Sequence, residues 1–429
     1  MTATQQHSEV GGLASATRGK PVSQWTGAAV WTLRILTGAV FVFSGFAKSV
    51  DPWGGMLKVE EYLAAMGLDL PRALSLIGSS LLALSEFTLG VMTLTGSFRR
   101  MTPVFLCAFM AVMLPLSLWI YIADPVSDCG CFGDAVVISN GATFLKNIAL
   151  CAMSVGLLLY NRRVRPLYAP GVQVWALLWS ALYATCLILI GYNRQPLVDF
   201  RPFPAGTRIV GGADTDPRYI YERNGVRLEF SADSLPDESD GWIYVARTAA
   251  TPQDGDRLAV FDTDGDDATD EISEMASGKL LILSISEPRR HGISRSYQAN
   301  QLYDFMRTRG DSMIAIVATS RPDVWKKAVR ARYPVYTADD AELKELARGE
   351  ASLVYVSDDT IRWKTSLTAI SPELLNGDSA EASANALLNR TSGDNTLRAL
   401  TSIYAGMMLL TLILGIWPEQ GRFWRRVRL

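Results

Sequence analysis

The stretch PVFLCAFMAVMLPLSLWIYI-ADPVSDCGCFGD, residues 103–134, decides the fold class of this chain. Its first part, residues 103–122, is apolar and uncharged. That is the length of an α-helix that crosses about 30 Å of hydrocarbon at about 1.5 Å per residue. A polar turn with two thiols, Cys129 and Cys131, follows almost directly. The stretch therefore predicts a membrane span that leads into a cysteine turn, a name used below for residues 128–134.

Other apolar segments of similar length lie on both sides of this stretch. Including it, the predicted spans are residues 28–46, 73–95, 103–122, 142–160, 174–192 and 397–417. Each should be helical, because a backbone in lipid has to satisfy its own hydrogen bonds. The sequence thus predicts a disordered tail at 1–24, a transmembrane domain of five helices at 25–195, a sixth span at 397–417 and a basic tail at 418–429.

Basic clusters lie at every second connection between the predicted spans and near both termini. They are Arg18 with Lys20, Arg99-Arg100, the arginines at 162–165, and those at 422–428. Because short positively charged loops remain on the cytoplasmic side, both termini are predicted to be cytoplasmic. The cysteine turn and the polar block between the last two spans are then periplasmic. We expect a multi-pass protein of the cell inner membrane, with the lipid bilayer as its first partner.

The polar block has three parts. Residues 196–277 predict a β-rich segment with strands at 226–230, 242–245 and 257–261, and residues 377–396 predict a linker. Between them, residues 278–376 alternate strands with amphipathic helices, which indicates a soluble α/β outer domain. The fold class is therefore an α-helical membrane bundle plus an α/β outer domain. The net charge is −2, and basic clusters are confined to membrane-flanking sites, so nucleic acid is not an expected partner.

Cys129 and Cys131 are the candidate catalytic residues, as a redox pair. The other three cysteines lie in predicted spans: Cys107, Cys151 and Cys186. A thiolate is the species that attacks a disulfide, and a Cys-x-Cys pair closes a small, easily reduced ring. Asp128 and Asp134 should raise the thiol pKa values. A permanent disulfide that pins the loop remains the competing interpretation. No metal site is predicted, because His7 and His291 are distant in sequence; His291 is expected to be solvated.

Two ionisable residues lie inside predicted spans, Arg34 and Glu86. Such residues are costly in hydrocarbon and either pair or mark a functional cavity. A buried Arg34–Glu86 ion pair and a proton relay are both open interpretations. Lys48 and Lys146 lie nearer the span ends and are expected to reach the membrane interface.

The membrane half resembles the DoxX-like superfamily, and within it the MauE branch of methylamine utilisation proteins. The match covers residues 28–160 and is carried by Arg34, Gly38, Phe41, Ser44-Gly45, Lys48, Asp51-Pro52, Glu86 and the cysteine turn. The resemblance implies a part in the maturation of a disulfide-rich envelope protein. The superfamily is distantly similar to quinone-linked vitamin K epoxide reductase, which implies quinone as a candidate cofactor.

The outer domain resembles a thioredoxin-like domain over residues 278–367, as in DoxX-family membrane proteins of Bacteroidetes. A working thioredoxin carries Cys-x-x-Cys after its first central strand and a cis-proline before its hairpin. Here residues 286–291 read SEPRRH and residues 350–352 read EAS. The resemblance therefore implies a redox-inactive domain without CxxC that binds a partner or acts as a scaffold.

Together these features predict thiol or electron transfer, or maturation of envelope proteins, at the outer face of the inner membrane. The partner would be an envelope protein or a thiol-redox protein. The alternative is a non-enzymatic membrane scaffold or assembly factor that binds an envelope partner through its outer domain. The sequence does not decide whether the protein is an enzyme.

Overall fold

The computed structural model describes residues 24–68, 70–126, 128–209, 218–223, 226–230, 242–248, 258–370 and 394–427. Within these ranges, six helices are long and apolar enough to cross a membrane, as the sequence predicts. They are α1 (Gln24–Val50), α3 (Arg72–Thr95), α4 (Thr102–Ala123), α5 (Asn140–Leu159), α6 (Gln173–Asn193) and α11 (Asp394–Val427). The last helix runs through most of the predicted basic tail, whereas nearly all of the predicted N-terminal tail and of the linker lies outside the described residues.

One further helix lies between the first two spans, in a segment for which the sequence predicts no helix. This helix, α2 (Pro52–Ala65), starts at a conventional cap: Asp51 Oδ1 accepts a hydrogen bond from the Gly54 amide at 3.0 Å, and Pro52 occupies the first helical position. Asp before Pro is a recognised helix-start signal. Because α2 lies between α1 and α3 in the chain, it shares the end of the bundle that carries the cysteine turn.

Helices α1 and α3 pack with their backbones in direct contact. A Cβ atom on Gly45 would lie 2.2 Å from the Phe87 amide nitrogen, and one on Gly90 would lie 2.5 Å from that of Val42. Small residues of this kind allow close approach of membrane helices, where dispersion contacts replace the hydrophobic driving force. This approach fixes the rotation of α1 against α3, and it is what brings Ser44 and Lys48 opposite Glu86.

The sixth span packs against α6 rather than against the bundle centre. The Tyr404 ring stacks on the Tyr183 ring at 4.5 Å between centroids, and its hydroxyl lies 2.9 Å from Ser180 Oγ. Thr401 Oγ1 lies 2.9 Å from the Tyr183 hydroxyl. These polar contacts between spans give the α6–α11 seam a defined register.

The second unit, here called the sheet domain (residues 258–370), is built on a five-stranded mixed sheet of order β6–β5–β4–β7–β8. Its strands are β4 (Lys279–Ile285), β5 (Ser312–Val317), β6 (Val335–Thr337), β7 (Ser352–Ser357) and β8 (Thr360–Ser366). Strands β4, β5 and β6 are parallel, whereas β7 is antiparallel to both β4 and β8. The β7–β8 turn places Asp358 and Asp359 at φ 52° and 60°, as a two-residue type I′ hairpin requires.

Both faces of this sheet are buried. Leu280 and Ile282 of β4 point into one core, and Leu281 and Leu283 point into the other, as the two-residue period of a strand requires. The helices are α7 (Thr269–Ser277), α8 (Ile293–Thr308), α9 (Pro322–Val329) and α10 (Asp340–Leu346). Helix α7 was not expected within the β-rich segment. It contributes Ile272 to the first core, so the packed unit extends beyond the predicted 278–376 range.

A second, three-stranded antiparallel sheet has the order β2–β1–β3. Its strands are β1 (Arg218–Arg223), β2 (Val226–Phe230) and β3 (Ile243–Thr248), which confirms the strands expected at 226–230 and 242–245. The strand expected at 257–261 is wrong. Among residues 258–261, which the structure describes, only Phe261 pairs, through isolated bridges to Asp267 and Thr337, because Leu258 and Val260 are buried in the core of the sheet domain.

The segment after α6 is held to the sheet domain by a buried charge cluster. Asp199 accepts hydrogen bonds from Arg201 Nε at 2.7 Å and from Lys364 Nζ at 2.9 Å. The Arg201 side chain is 3% exposed and that of Lys364 is 5% exposed. Among the described residues, Asp199 is the carboxylate that pairs with both of these cations.

Asp199→Ala should therefore lower the free energy of unfolding of the sheet domain by about 3 kcal/mol, since it leaves two buried cations without their counter-charge. Chemical denaturation of the full chain in detergent measures this change. Asp304→Ala is the matched control: its pair with Arg332 is about half exposed on both sides, and it should cost less than about 1 kcal/mol. Equal losses from the two variants would contradict the prediction.

Candidate functional site

The cysteine turn connects α4 to α5 and brings two thiols together. The sulfur atoms of Cys129 and Cys131 lie 3.0 Å apart, at hydrogen-bonding distance and unbonded. Gly130 has φ 59°, and a Cβ atom there would lie 2.8 Å from the Lys58 side chain. Glycine is required at this position, because both the left-handed backbone and the close contact exclude a side chain.

Helices α1 and α3 hold the turn from the membrane side. Lys48 Nζ donates to the Cys131 carbonyl at 2.5 Å and to Glu86 at 2.8 and 3.0 Å. Ser44 Oγ lies 2.6 Å from the same carbonyl and 2.8 Å from Glu86 Oε2. The expectation that Lys48 reaches the membrane interface is wrong: it is 9% exposed and forms the ion pair with Glu86.

Arg34 has a different role from the one expected. It donates to the carbonyl oxygens of Thr93 at 3.2 Å, Leu94 at 2.8 Å and Arg165 at 3.1 Å. These include the last carbonyls of α3, which have no partner within the helix, so Arg34 satisfies the end of that helix. The interpretation of Arg34 and Glu86 as an ion pair is wrong, because α1 presents Lys48 to Glu86, near the middle of α3, and Arg34 to the C-terminal end of that helix.

Helix α2 holds the turn from the other side. The Tyr62 hydroxyl donates a short hydrogen bond to the Cys129 carbonyl, and Lys58 Nζ pairs with Asp128 at 3.1 Å. Asp128 in turn accepts the Gly130 amide at 2.7 Å. Sequence reasoning missed both α2 side chains, although their spacing of four residues places them on one helix face.

A third contact comes from the sheet domain. Arg348 precedes β7, is 8% exposed, and donates through Nε to Asp51 at 3.0 Å and through Nη2 to Asp134. Arg72 of α3 forms an ion pair with Glu287 nearby. The end of the sheet domain that carries residues 286–291 and 348–351 therefore faces the cysteine turn.

The two thiols differ in acidity. The pKa of Cys131 is lowered to about 6, first because Cys129 donates a hydrogen bond to its sulfur, and then because Lys146 and Lys48 place positive charge beside it, against the effect of burial. The pKa of Cys129 is raised, first by that same hydrogen bond and then by burial. The expectation that the neighbouring aspartates raise the thiol pKa is wrong for Cys131. Their charges are paired, Asp128 with Lys58 and Asp134 with Arg348.

A small cavity of about 40 Å³ lies under the turn, between α1, α3, α4 and α5. Its polar lining is Ser44, Glu86, Cys131, Lys146 and Asn147, and its apolar lining is Val40, Phe41, Phe109, Met110, Met113 and Leu150. A volume of this size can hold ordered water among polar partners. Cys131 faces this cavity, whereas the Cys129 side of the turn meets Tyr62. Lys146 is half-buried, with Nζ 4.3 Å from the centre of the Phe132 ring.

His291 is not the solvated histidine that the sequence suggested. It is 2% exposed, its ring lies 5.5 Å from that of Trp325, and neither ring nitrogen has a hydrogen-bond partner among the described residues. Burial, and then the charge of Arg295, lowers its pKa to about 4. The ring is therefore neutral at pH 7.

His291 should make the sheet domain sensitive to acid. Because the unfolded chain binds a proton near pH 6.5 and the folded chain near pH 4, its contribution is complete above about pH 6.5. That contribution falls by up to about 3 kcal/mol as the pH drops towards 4. Unfolding midpoints of the full chain in detergent, measured from pH 7.5 to 4, test this. His291→Leu should lose less stability over that range, and an unchanged pH profile would contradict the prediction.

Comparison with known families bears on the membrane half. Residues 26–160, which include α1 to α5 and the cysteine turn, match the family described as methylamine utilisation protein MauE. Residues 215–249, which include the three-stranded sheet, match a family described as a domain of unknown function (DUF8463). No curated protein and no solved structure matches the chain. With six helices able to cross a membrane and this match, the chain is an integral, multi-pass membrane protein whose residues 26–160 are similar to the MauE family.

Proposed function

We propose that this protein transfers electrons between thiols at a membrane surface, with Cys129 and Cys131 as the redox pair. The observation that carries the proposal is the asymmetry of the turn: an acidic thiol faces a cavity between membrane helices, and a second thiol faces away from it. Structural cysteines have no need of such a charge environment, whereas reactive ones require a stabilised thiolate.

The asymmetry gives the two sulfurs separate roles. When the pair is oxidised, a thiolate of a partner protein attacks Cys129, and Cys131 leaves as a thiolate. The more acidic thiol is the better leaving group in disulfide exchange. A second partner thiolate then attacks the partner sulfur of the mixed disulfide. Cys129 leaves as a thiolate and takes up one proton from water. The partner has gained a disulfide, and the turn is left with a Cys129 thiol and a Cys131 thiolate.

Reoxidation needs an acceptor of two electrons, for which a quinone is the candidate cofactor. A quinone held beside Cys131 would accept two electrons: the Cys129 thiol, the Cys131 thiolate and one further proton would then give the disulfide and a quinol. The cavity beside Cys131 supports this assignment, since it combines an apolar wall with Lys146 and Asn147 as donors. It is smaller than a quinone ring, so Met110 and Met113, which are flexible side chains, would have to move.

The proposal also assigns a fold family and a cellular location to each half of the protein. In it the membrane half is a DoxX-like bundle in the inner membrane, and the cysteine turn and sheet domain are periplasmic. The sheet order, with three parallel strands and an antiparallel hairpin, supports a thioredoxin-like fold. Residues 286–291 carry no cysteine, so this domain would not exchange thiols itself.

The test is to trap the redox state of the pair in living cells by rapid acid quenching and alkylation. The reduced fraction should rise when quinone reoxidation is blocked and fall when it resumes. A pair that stays fully oxidised in every respiratory state, with envelope disulfides unchanged in Cys131→Ser cells, would refute the proposal and indicate a structural disulfide.

The second candidate function is a non-enzymatic assembly factor, favoured by the cysteine-free sheet domain and its fixed contacts with the bundle. In that case a partner should co-purify with the full chain and remain bound when both Cys129 and Cys131 are replaced by serine. Release of the partner on reduction would count against it.

A further inference from the structure

The cysteine turn receives a charged side chain from outside the membrane half. Arg348 is a buried guanidinium from the loop before β7, and it bridges two carboxylates from different elements. Asp51 caps the start of α2, and Asp134 lies three residues after Cys131. Arg348 therefore ties the cysteine turn to the helix whose Lys58 and Tyr62 hold its other end.

Arg348 is itself fixed in place. Gln195, which follows α6, accepts the Arg348 amide at 3.0 Å and donates to the Arg348 carbonyl at 2.6 Å. Gln195 is 8% exposed, and its amide also donates to Ser352 Oγ at 3.0 Å. Because the Gln195 side chain forms hydrogen bonds with both the amide and the carbonyl of Arg348, the backbone of Arg348 has little freedom to move.

The position of the cysteine turn determines how far the Cys131 sulfur lies from the charged groups around it. Lys48 reaches the Cys131 carbonyl, so a displaced turn would change the distance of the sulfur from the cations that stabilise its thiolate. Among the described residues, the charged groups on the elements packed around the turn are Lys48, Asp51, Lys58, Glu61, Glu86, Asp128, Asp134, Lys146 and Arg348. Without Arg348, Asp51 and Asp134 would face each other as like charges and push the turn away from α2.

We infer that Arg348 is a positioning residue for the cysteine pair, and that the sheet domain serves to hold the turn in its reactive geometry. The partner domain thus acts on the pair by fixing it and not by exchanging thiols with it. The inference rests on the proposed function only for its consequence, since the position of the turn can be measured with no partner and no acceptor present.

The test measures the rate at which Cys131 is alkylated as a function of pH, in the reduced full chain in lipid nanodiscs. Background from the other cysteines is set by the variant in which both Cys129 and Cys131 are serine. Arg348→Met should raise the midpoint pH of alkylation by about one unit or more, since loss of a nearby cation arrangement shifts a thiol by this order. Arg348→Lys, which keeps one charge and one contact, should give an intermediate shift. Arg362→Met, which removes an exposed ion pair with Asp358 on the hairpin turn, should leave the profile unchanged.

Asp134→Asn separates positioning from the direct effect of charge. If charge alone acted, removal of a carboxylate near the thiol would lower the midpoint; if Asp134 anchors the turn to Arg348, the midpoint should rise. The double variant Arg348→Met with Asp134→Asn should then shift the midpoint pH no further than the larger of the two single variants, as expected for two residues of one contact. A lowered midpoint in Asp134→Asn would overturn the inference.

The outcome stays decisive if Arg348→Met fails to fold. Asp134 is 41% exposed at its side chain, so its asparagine variant should fold and can decide the matter alone. A redox-inert pair that still shows these shifts would refute the proposed function and leave the inference standing. A redox-active pair whose alkylation profile is unchanged in both Arg348→Met and Asp134→Asn would overturn the inference and leave the proposed function standing.

Discussion

Cys131→Ser is expected to slow alkylation of the reduced cysteine turn at pH 7 by about 30-fold or more, whereas Cys129→Ser should leave it fast. The reason is the division of acidity between the two thiols. A thiol of pKa about 6 is roughly 90% thiolate at pH 7, and an ordinary thiol near 8.5 is only about 3% thiolate. In Cys129→Ser, the serine hydroxyl can still donate to the Cys131 sulfur, and Lys48 and Lys146 remain.

Each variant serves as the matched control of the other, because both remove one sulfur from the same turn. Both should abolish disulfide transfer, since an oxidised pair needs two sulfurs, but only one should lose the reactive thiolate. Labelling rates from pH 5 to 9, resolved by mass spectrometry of the labelled peptide, measure the difference. Equal rates for the two single variants would show that the turn does not distinguish its thiols.

Lys48→Met should lower the free energy of unfolding of the bundle by about 3–5 kcal/mol, the usual cost of leaving one member of a buried ion pair without its partner. Glu86 is 6% exposed, and it accepts hydrogen bonds from Lys48 and Ser44. The loss can be measured by denaturation of the purified protein in mixed micelles. Lys327→Met, at an exposed position of α9, should change stability by less than about 0.5 kcal/mol.

The double variant Lys48→Met with Glu86→Leu should recover much of this loss. With neither charge present, no uncompensated ion remains in the membrane, and apolar pairs of similar volume often match a buried salt bridge. The recovered protein should still show a displaced cysteine turn, because Lys48 also holds the Cys131 carbonyl. A double variant no more stable than Lys48→Met would mean that the pair is not the source of the loss.

Features that depend only on residues adjacent in the sequence could be predicted. An apolar segment of span length needs no information from the rest of the chain, so all six membrane helices were predicted close to their observed bounds. The position of Cys129 and Cys131 outside a span followed in the same way. The alternation of strands with helices in the sheet domain was predicted for a similar reason, since the central strands β4 and β5 are continuous, buried apolar segments.

The errors about the roles of single side chains concern contacts between elements. Glu86 pairs with Lys48 rather than with Arg34 because of how α1 is rotated and shifted against α3. That arrangement is set by the close approach at Gly45 and Gly90. Arg348 lies nearly three hundred residues from Asp51, and no local pattern joins them. His291 appeared to be in a polar turn because its neighbours are charged, whereas the fold buries it against Trp325.

The α6–α11 seam has a consequence for the order in which the bundle is completed. Roughly 200 residues separate the two helices, so a ribosome that adds about 5–20 residues per second needs roughly 10–40 s to reach α11 after it has finished α6. During that interval the hydroxyls of Ser180 and Tyr183 lack the partners that α11 later supplies. The seam is therefore the last part of the membrane half to form. A stalled or misfolded sheet domain would first disturb the contacts between α6 and α11.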